Sequence, residues 1–239
     1  MSGNESLADV TGLVAIVVQE QKQENDLRYE ALRAQINPHF LFNTLSTIKW
    51  SAKMSGANNV SKTISALGRL LEVSINKGEE EVCFSEEFEL VKCYVYIQNV
   101  RYNDKFELQL KVEDERIYSY RVPKLILQPI VENSIIHGFG DMVDNCVIKI
   151  DAYGKGESVI IDVIDNGTGI DKDRLEGLMH SKNAKQKFSG IGLKNVHERI
   201  RLKYGDQYGI SINSAGGEGT TVSIAIPKLE DHKGEGADN

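Results

Sequence analysis

Apolar residues recur at three- and four-residue spacing at Leu13, Val17, Leu27, Ala31 and Ala34, which predicts a helical linker over residues 1–34. Glu20, Glu24 and the polar stretch from Gln19 to Asn25 interrupt this seam, so a weak coiled coil and a frayed lead-in that leans on preceding chain fit equally. A second stripe runs through Leu41, Leu45, Ile48 and Ala52, and a third through Ile64, Leu67 and Leu71, with turn-forming Ser55-Gly56-Ala57-Asn58-Asn59 between them. The expectation is a helical hairpin. Two stripes on one hairpin can bury only each other, whereas pairing with a second copy into a four-helix bundle removes more surface from water. A homodimer follows from that argument. Ser85 then reads as an N-cap, with Glu86 and Glu87 in the first turn of a helix carrying Phe88, Val91, Val95 and Tyr102.

From Phe106 the period falls to two: Phe106, Leu108, Leu110 and Val112 alternate. Alternation or short apolar runs return at Cys146 to Ala152, Val159 to Ile164, Ile210 to Ile212 and Val222 to Ile226. These predict five strands of one sheet. Helical stretches from Leu125 to His137 and Leu193 to Tyr204 carry stripes (Leu127, Val131, Ile135; Leu193, Val196, Ile200) suited to covering one sheet face. The expected class is α+β, a helical hairpin forming a dimeric four-helix bundle followed by an α/β sandwich. The expected divisions are 1–34 linker, 35–103 dimerisation helices, 104–229 sandwich and 230–239 a disordered polar tail.

With 239 residues, 41% of them hydrophobic, the chain can bury one ordinary core and a smaller helical element. A formal charge of −7 argues against non-specific nucleic-acid binding. Cys83, Cys93 and Cys146 show no CxxC spacing and fit thiols used as core filler in a reducing compartment. The longest early apolar run, Leu13 to Val18, is too short to span a bilayer. A soluble piece, with any spanning part preceding it, is expected.

Three pieces of the second region carry chemistry. Asn133 and His137 lie four apart, flanked by Glu132, on the helix face opposite the apolar stripe; an amide oxygen there suits Mg²⁺, and a polar solvent face suits the same residues. Asp165-Asn166-Gly167-Thr168-Gly169 closes an apolar strand. Its aspartate can accept a hydrogen bond from an adenine amino group while Gly167 and Gly169 admit close backbone approach, although a capped tight turn is equally consistent. Ser189-Gly190-Ile191-Gly192-Leu193 opens a helix whose N–H groups and dipole can face phosphate. Between the glycine pieces, Lys182, Lys185 and Lys187 sit in a long polar segment that reads as a lid over a triphosphate or as an exposed basic loop. Gly216 to Thr220 forms a last hairpin, from which the Thr220 hydroxyl can join the Asp165 hydrogen-bond network. No GxxxxGK[ST] is present, so a phosphate-loop NTPase is unsupported.

Taken in order, Val131-Glu132-Asn133-Ser134-Ile135-Ile136-His137-Gly138, Asp165-x-Gly-x-Gly169 and Gly190-x-Gly192-Leu193-x-Asn195 resemble the ATP-binding domain shared by histidine kinases, type II topoisomerases, heat-shock chaperone ATPases and mismatch-repair ATPases. Gln35-Ile36-Asn37-Pro38-His39-Phe40-Leu41-Phe42-Asn43 resembles the phosphoacceptor segment of the sensor histidine kinases that include autolysin-regulating and pyruvate-sensing members. The match runs roughly from residue 30 to 229.

The resemblance implies Mg-ATP binding, autophosphorylation of His39, and transfer of the phosphate to an aspartate of a response regulator. It also implies a homodimer on the cytoplasmic side of an upstream membrane sensor. A neutral imidazole has a lone pair near neutral pH and needs no strong base to attack phosphorus. Where related kinases place an acid directly after the phosphorylated histidine, this chain has Phe40; Glu132 is then the candidate base. Asn43, one turn beyond His39 on the same face, is by the same resemblance a candidate for positioning water in regulator dephosphorylation. Arg101 also resembles a family motif and suits either phosphate contact or carboxylate pairing. A conformational ATPase would carry a glutamate where this chain has Pro129, and an anti-sigma-type serine kinase would not need the His39 hairpin. A nucleotide-binding scaffold without transfer is the third alternative.

Overall fold

Pro38, with its preset φ, opens helix α1 (Pro38–Met54). The turn after it closes with Gly56 at φ +73 and the Ala57 N–H donating to Ala52 O at 2.9 Å, and helix α2 (Asn58–Ile75) follows. The computed structural model describes residues 38–75, 80–140, 142, 145–171 and 191–228. The expected linker and tail, together with Lys182, Lys185, Lys187 and Gly190, lie outside the described residues. The chain divides into two compact units, Met1–Ser61 and Lys62–Asn239. Among the described residues no helix is long and apolar enough to cross a membrane.

Strand β1 (Glu81–Cys83) leads directly into helix α3 (Phe84–Tyr102). The expectation that Ser85 caps this helix is corrected: the N-cap position is Cys83, with no side-chain cap bond. Phe84 is fully buried and its N–H donates to Tyr120 O at 2.9 Å, so packing rather than a serine hydroxyl sets the start. Glu86 and Glu87 lie in the first turn as expected, and Glu87 is only 1% exposed. At its far end α3 stops on Asn103 in the left-handed conformation, and the Asn99 side chain brackets Phe106 by donating to its carbonyl and accepting from its N–H, both at 2.8 Å.

The main sheet has five strands, as the alternation predicts. They are β2 (Phe106–Val112), β4 (Cys146–Lys155), β5 (Ser158–Asp165), β6 (Gly209–Ser214) and β7 (Thr220–Pro227), in the order β2-β4-β5-β7-β6. Only β2 and β4 run parallel. Strand β3 (Arg121–Pro123) instead pairs antiparallel with β1 in a separate two-stranded sheet that periodicity did not foresee. One face of the main sheet, bearing Ile148, Ile150, Ile161, Val163 and Ile224, packs with Val91 and Val95 of α3, Ile130 and Val131 of helix α4 (Gln128–Asn133), and Val196 and Ile200 of helix α5 (Ile191–Tyr204). The result is a two-layer α/β sandwich.

The helix expected from Leu125 to His137 begins later and changes type. Leu125 has φ +56, outside any right-handed helix; α4 starts at Gln128, and a π-turn follows over Ser134–Gly138. Its Phe139 N–H reaches back five residues to Ser134 O at 3.0 Å. The stripe itself is as read, with Leu127, Val131 and Ile135 all buried.

Candidate functional site

The period of two along β5 buries Val159, Ile161 and Val163, and the next residue in that series is Asp165, 5% exposed. A carboxylate therefore ends an apolar row, on the helix-covered face. Its Oδ2 accepts from the Ser134 hydroxyl at 2.7 Å and its Oδ1 from the Gly167 N–H at 3.0 Å. A carboxylate has about four acceptor sites, so two such bonds orient Asp165 and leave it able to accept more. Ser134 lies inside the Val131 to Gly138 motif, where the sequence reading assigns it no role. The signal was present, because Ser134 lies seven residues after Leu127, a polar side chain on the buried stripe.

The glycine turn after Asp165 is held from two sides. On one, Thr168 donates from its N–H (2.7 Å) and its hydroxyl (3.2 Å) to Gly138 O at the end of the π-turn. On the other, the Gly217 N–H donates to Thr168 O at 2.7 Å. A Cβ on Gly167 would lie 2.3 Å from Gly138 O, and one on Gly169 would lie 1.9 Å from Ala215 O, with φ +68 besides. Both positions therefore need glycine. Asn166 fastens the turn to the neighbouring strand: its Oδ1 accepts from Val147 N at 2.8 Å and its Nδ2 donates to Asn145 O at 2.7 Å.

Thr220 is the register partner of Asp165 across β5 and β7, but its hydroxyl meets Ser214 Oγ at 2.9 Å, which corrects the expected bond to the Asp165 network. Ser214 gives its single proton to Gly219 O at 2.8 Å and accepts from Ile170 N at 2.8 Å. Thr220 must then be the donor to Ser214, and among the described residues no donor meets its own lone pairs. Ser214 carried no sequence signal, being one polar residue on an edge strand.

Asn133, at the last position of α4, is half-buried, as is Glu132; His137 is exposed. The π-turn from Ser134 to Gly138 begins directly after Asn133, so the face expected to hold both Asn133 and His137 crosses a change of helix type. Glu132 faces Tyr94 of α3, whose phenol is pushed up to about 12 by burial and, next, by the Glu132 charge. Gly192, in the first turn of α5, lies against Pro129 of α4, where an added Cβ would come within 3.1 Å of the proline ring; Leu193 beside it packs on the core. The start of α5 thus lies beside the start of α4, while Gly138 at the end of the π-turn lies against the Asp165 turn. No group of three or more His, Cys, Asp or Glu that could cage a metal occurs among the described residues. Mg²⁺ held by one amide, phosphates and water does not need such a cage, so the donor set at Asn133 fits it.

In the other unit, His39 is exposed in the first turn of α1. The Asn43 amide nitrogen lies 3.2 Å from His39 Nδ1 and 3.4 Å from Nε2. Near-equal distances to both nitrogens place the amide beside the ring without aligning it with either lone pair. Arg101, at the end of α3, stacks over the Tyr102 ring with its guanidinium carbon 5.1 Å from the centroid.

Residues 27–106 match the family model described as histidine kinase, and residues 120–230 match that of the histidine kinase-, DNA gyrase B-, and HSP90-like ATPases. Sensor histidine kinase YesM of Bacillus subtilis is 39% identical over 210 residues, covering 88% of this chain and 35% of that protein. Sensor histidine kinase YpdA of Escherichia coli is 33% identical, covering 87% and 36%. Sensor protein LytS of Bacillus anthracis is 31% identical, covering 87% and 35%. The chain thus spans about a third of the length of these relatives. Because both family models match in succession, and the relatives align across the junction between them, the chain belongs to the sensor histidine kinases of the LytS type.

Proposed function

We propose that this chain is the cytoplasmic catalytic part of a two-component sensor histidine kinase, in which residues 35–103 dimerise and carry the phosphoacceptor and residues 104–229 bind Mg-ATP. The observation that carries the reading is the exposure of His39, against which, among the described residues, only Asn43 of its own helix makes a side-chain hydrogen-bond contact. A structural histidine would be buried or would cap backbone groups; this one leaves a ring nitrogen open to an incoming phosphate.

At the nucleotide site, Asp165 accepts a hydrogen bond from the adenine amino group, oriented by Ser134 and Gly167, while Gly167 and Gly169 keep the turn close to the base. Thr220 offers its free lone pairs beside it. The first turn of α5, with Gly192, faces the phosphates; Gly190, Lys182, Lys185 and Lys187, further phosphate contacts in this reading, lie outside the described residues. Asn133 would ligate Mg²⁺ and His137 would line the same site, where the ion would supply positive charge to offset that of the phosphates. His39 attacks the γ-phosphorus with a ring lone pair. An N–P bond forms, the bond from the γ-phosphorus to the bridging oxygen breaks, and ADP leaves with that electron pair. The ring then loses its one remaining N–H proton, for which Glu132 is the proposed acceptor. The phosphate passes to an aspartate of a response regulator, and Asn43 positions water in the reverse, dephosphorylating reaction. Pro129, where a hydrolytic relative would need a glutamate, sits in the first turn of α4 against Gly192, which disfavours a water-activating ATPase.

With [γ-³²P]ATP and Mg²⁺ the chain is expected to acquire an acid-labile, alkali-stable label, and His39→Gln to abolish it while leaving ATP affinity unchanged. Label that persists in His39→Gln overturns the phosphoacceptor assignment.

A further inference from the structure

Three successive backbone N–H groups, those of Leu125, Ile126 and Leu127, converge on the carboxylate of Glu87. Ile126 and Leu127 donate to Oε2 at 2.9 and 3.1 Å, and Leu125 donates to Oε1. The geometry depends on Leu125 at φ +56, a left-handed conformation that costs energy for a residue with a bulky side chain, followed by Leu127 in the right-handed region. A left-handed residue leading into right-handed ones aims consecutive N–H groups into one concavity, the arrangement by which proteins hold anions. Here the anion is internal, 1% exposed, and comes from a different helix.

The surroundings fit that role. Arg199 of α5 donates to Leu125 O at 3.2 Å, so the turn is held from both sides. Burial pushes the Glu87 carboxyl up, against the pull of the three N–H groups and of Arg199. Helix α4, which starts at the next residue, has no side-chain cap of its own. Within its six residues and the π-turn lie Asn133, Ser134 and Gly138. A helix this short has little independent stability, so whatever fixes its first turn fixes the placing of its last.

We propose that Glu87 is a positioning residue for the nucleotide site: by seating the Leu125–Leu127 turn it sets the start of α4, and through α4 the placing of Asn133 toward the metal-bound phosphates. This rests on the nucleotide reading above. Asp165 lies on β5 and is oriented partly by Gly167 of its own turn, so the adenine end depends less on Glu87 than the metal end does. The separation of the two ends gives the proposal its test.

ADP affinity of the full chain is measured calorimetrically with Mg²⁺ and with EDTA, for wild type, Glu87→Gln and Glu87→Asp. Wild type is expected to bind more tightly with Mg²⁺. Glu87→Gln is expected to lose about tenfold in the Mg²⁺ arm, the size of effect seen when a group behind a metal ligand is removed, and about twofold or less with EDTA. Glu87→Asp keeps the charge but withdraws it by one methylene, and should show a smaller loss confined to the Mg²⁺ arm. Equal losses in both arms, or none, overturn the proposal, since general loosening of the fold does not select the metal-dependent increment. If circular dichroism shows Glu87→Gln unfolded, Glu87→Asp decides by the same criterion. A wild-type chain that binds ADP no better with Mg²⁺ than with EDTA overturns the nucleotide reading itself, and this proposal with it.

Discussion

Helix α1 and strand β5 are both strongly patterned, and the structure treats them in opposite ways. Along β5 every second side chain, from Val159 to Asp165, is buried, and Ile161 is fully so. Along α1 no side chain is buried, and Phe40, Ile48, Trp50 and Met54 are exposed, Trp50 by 60%. The strand finds all its partners within its own unit: β4, β7 and the helices over them. The helix carries an apolar surface that a single chain leaves in water, a state that marks an interaction surface. Self-sufficiency in one region and dependence in the other match the proposed division of labour between a catalytic sandwich and a dimerising phosphoacceptor helix.

The sharpest way to break that contrast is a pair of truncations. Ile161→Ala should destabilise the sandwich by about 2–5 kcal/mol, read from urea unfolding, because it opens a cavity in a core that has no slack. Trp50→Ala should leave the same transition within about 0.5 kcal/mol and instead raise the dimer dissociation constant seen by sedimentation. A loss of sandwich stability on Trp50→Ala would mean that α1 is not independent. A smaller effect sharpens the picture of β5 itself. Asp165→Asn keeps the shape but replaces an acceptor-only group, and should weaken ATP binding by about 1–3 kcal/mol; unchanged affinity in a fluorescence titration removes Asp165 from the adenine contact. The smallest expected effect is that of Thr220→Val, which deletes the bond to Ser214 and one open acceptor. About 1 kcal/mol of ATP affinity should go, with the Asp165→Asn effect otherwise additive. Strong non-additivity would place Thr220 in the Asp165 network after all.

What could be read early and what could not divides along physical lines. The strands of the main sheet were legible because a half-buried sheet imposes a period of two on sequence, and five such runs are hard to produce otherwise. Strands β1 and β3 were not, since three residues hold too few periods to register. Asp165 was legible as a strand-end acid beside glycines, but its inward direction follows from counting on from Ile161 and Val163. Ser85 was misassigned as a cap because capping propensity is a local rule, whereas the buried Phe84 set the helix start through packing. Leu125 gives no hint of a left-handed conformation, because leucine prefers to avoid it; only the carboxylate of Glu87, 38 positions away in sequence, makes the turn worth adopting.

The sequence by itself determined the sandwich, the order of its motifs and the presence of a histidine in a family-specific setting, because each is written in local periodicity or contiguous residues. The tertiary structure alone decided that Ser134 orients Asp165, that Thr220 bonds to Ser214, that α4 gives way to a π-turn, and that Glu87 is buried against the turn leading into a helix it does not belong to. Two of these, Ser134 with Asp165 and Glu87 with Leu127, join residues 31 and 40 positions apart, and buried hydrogen-bonding groups must be satisfied by whatever the fold brings near.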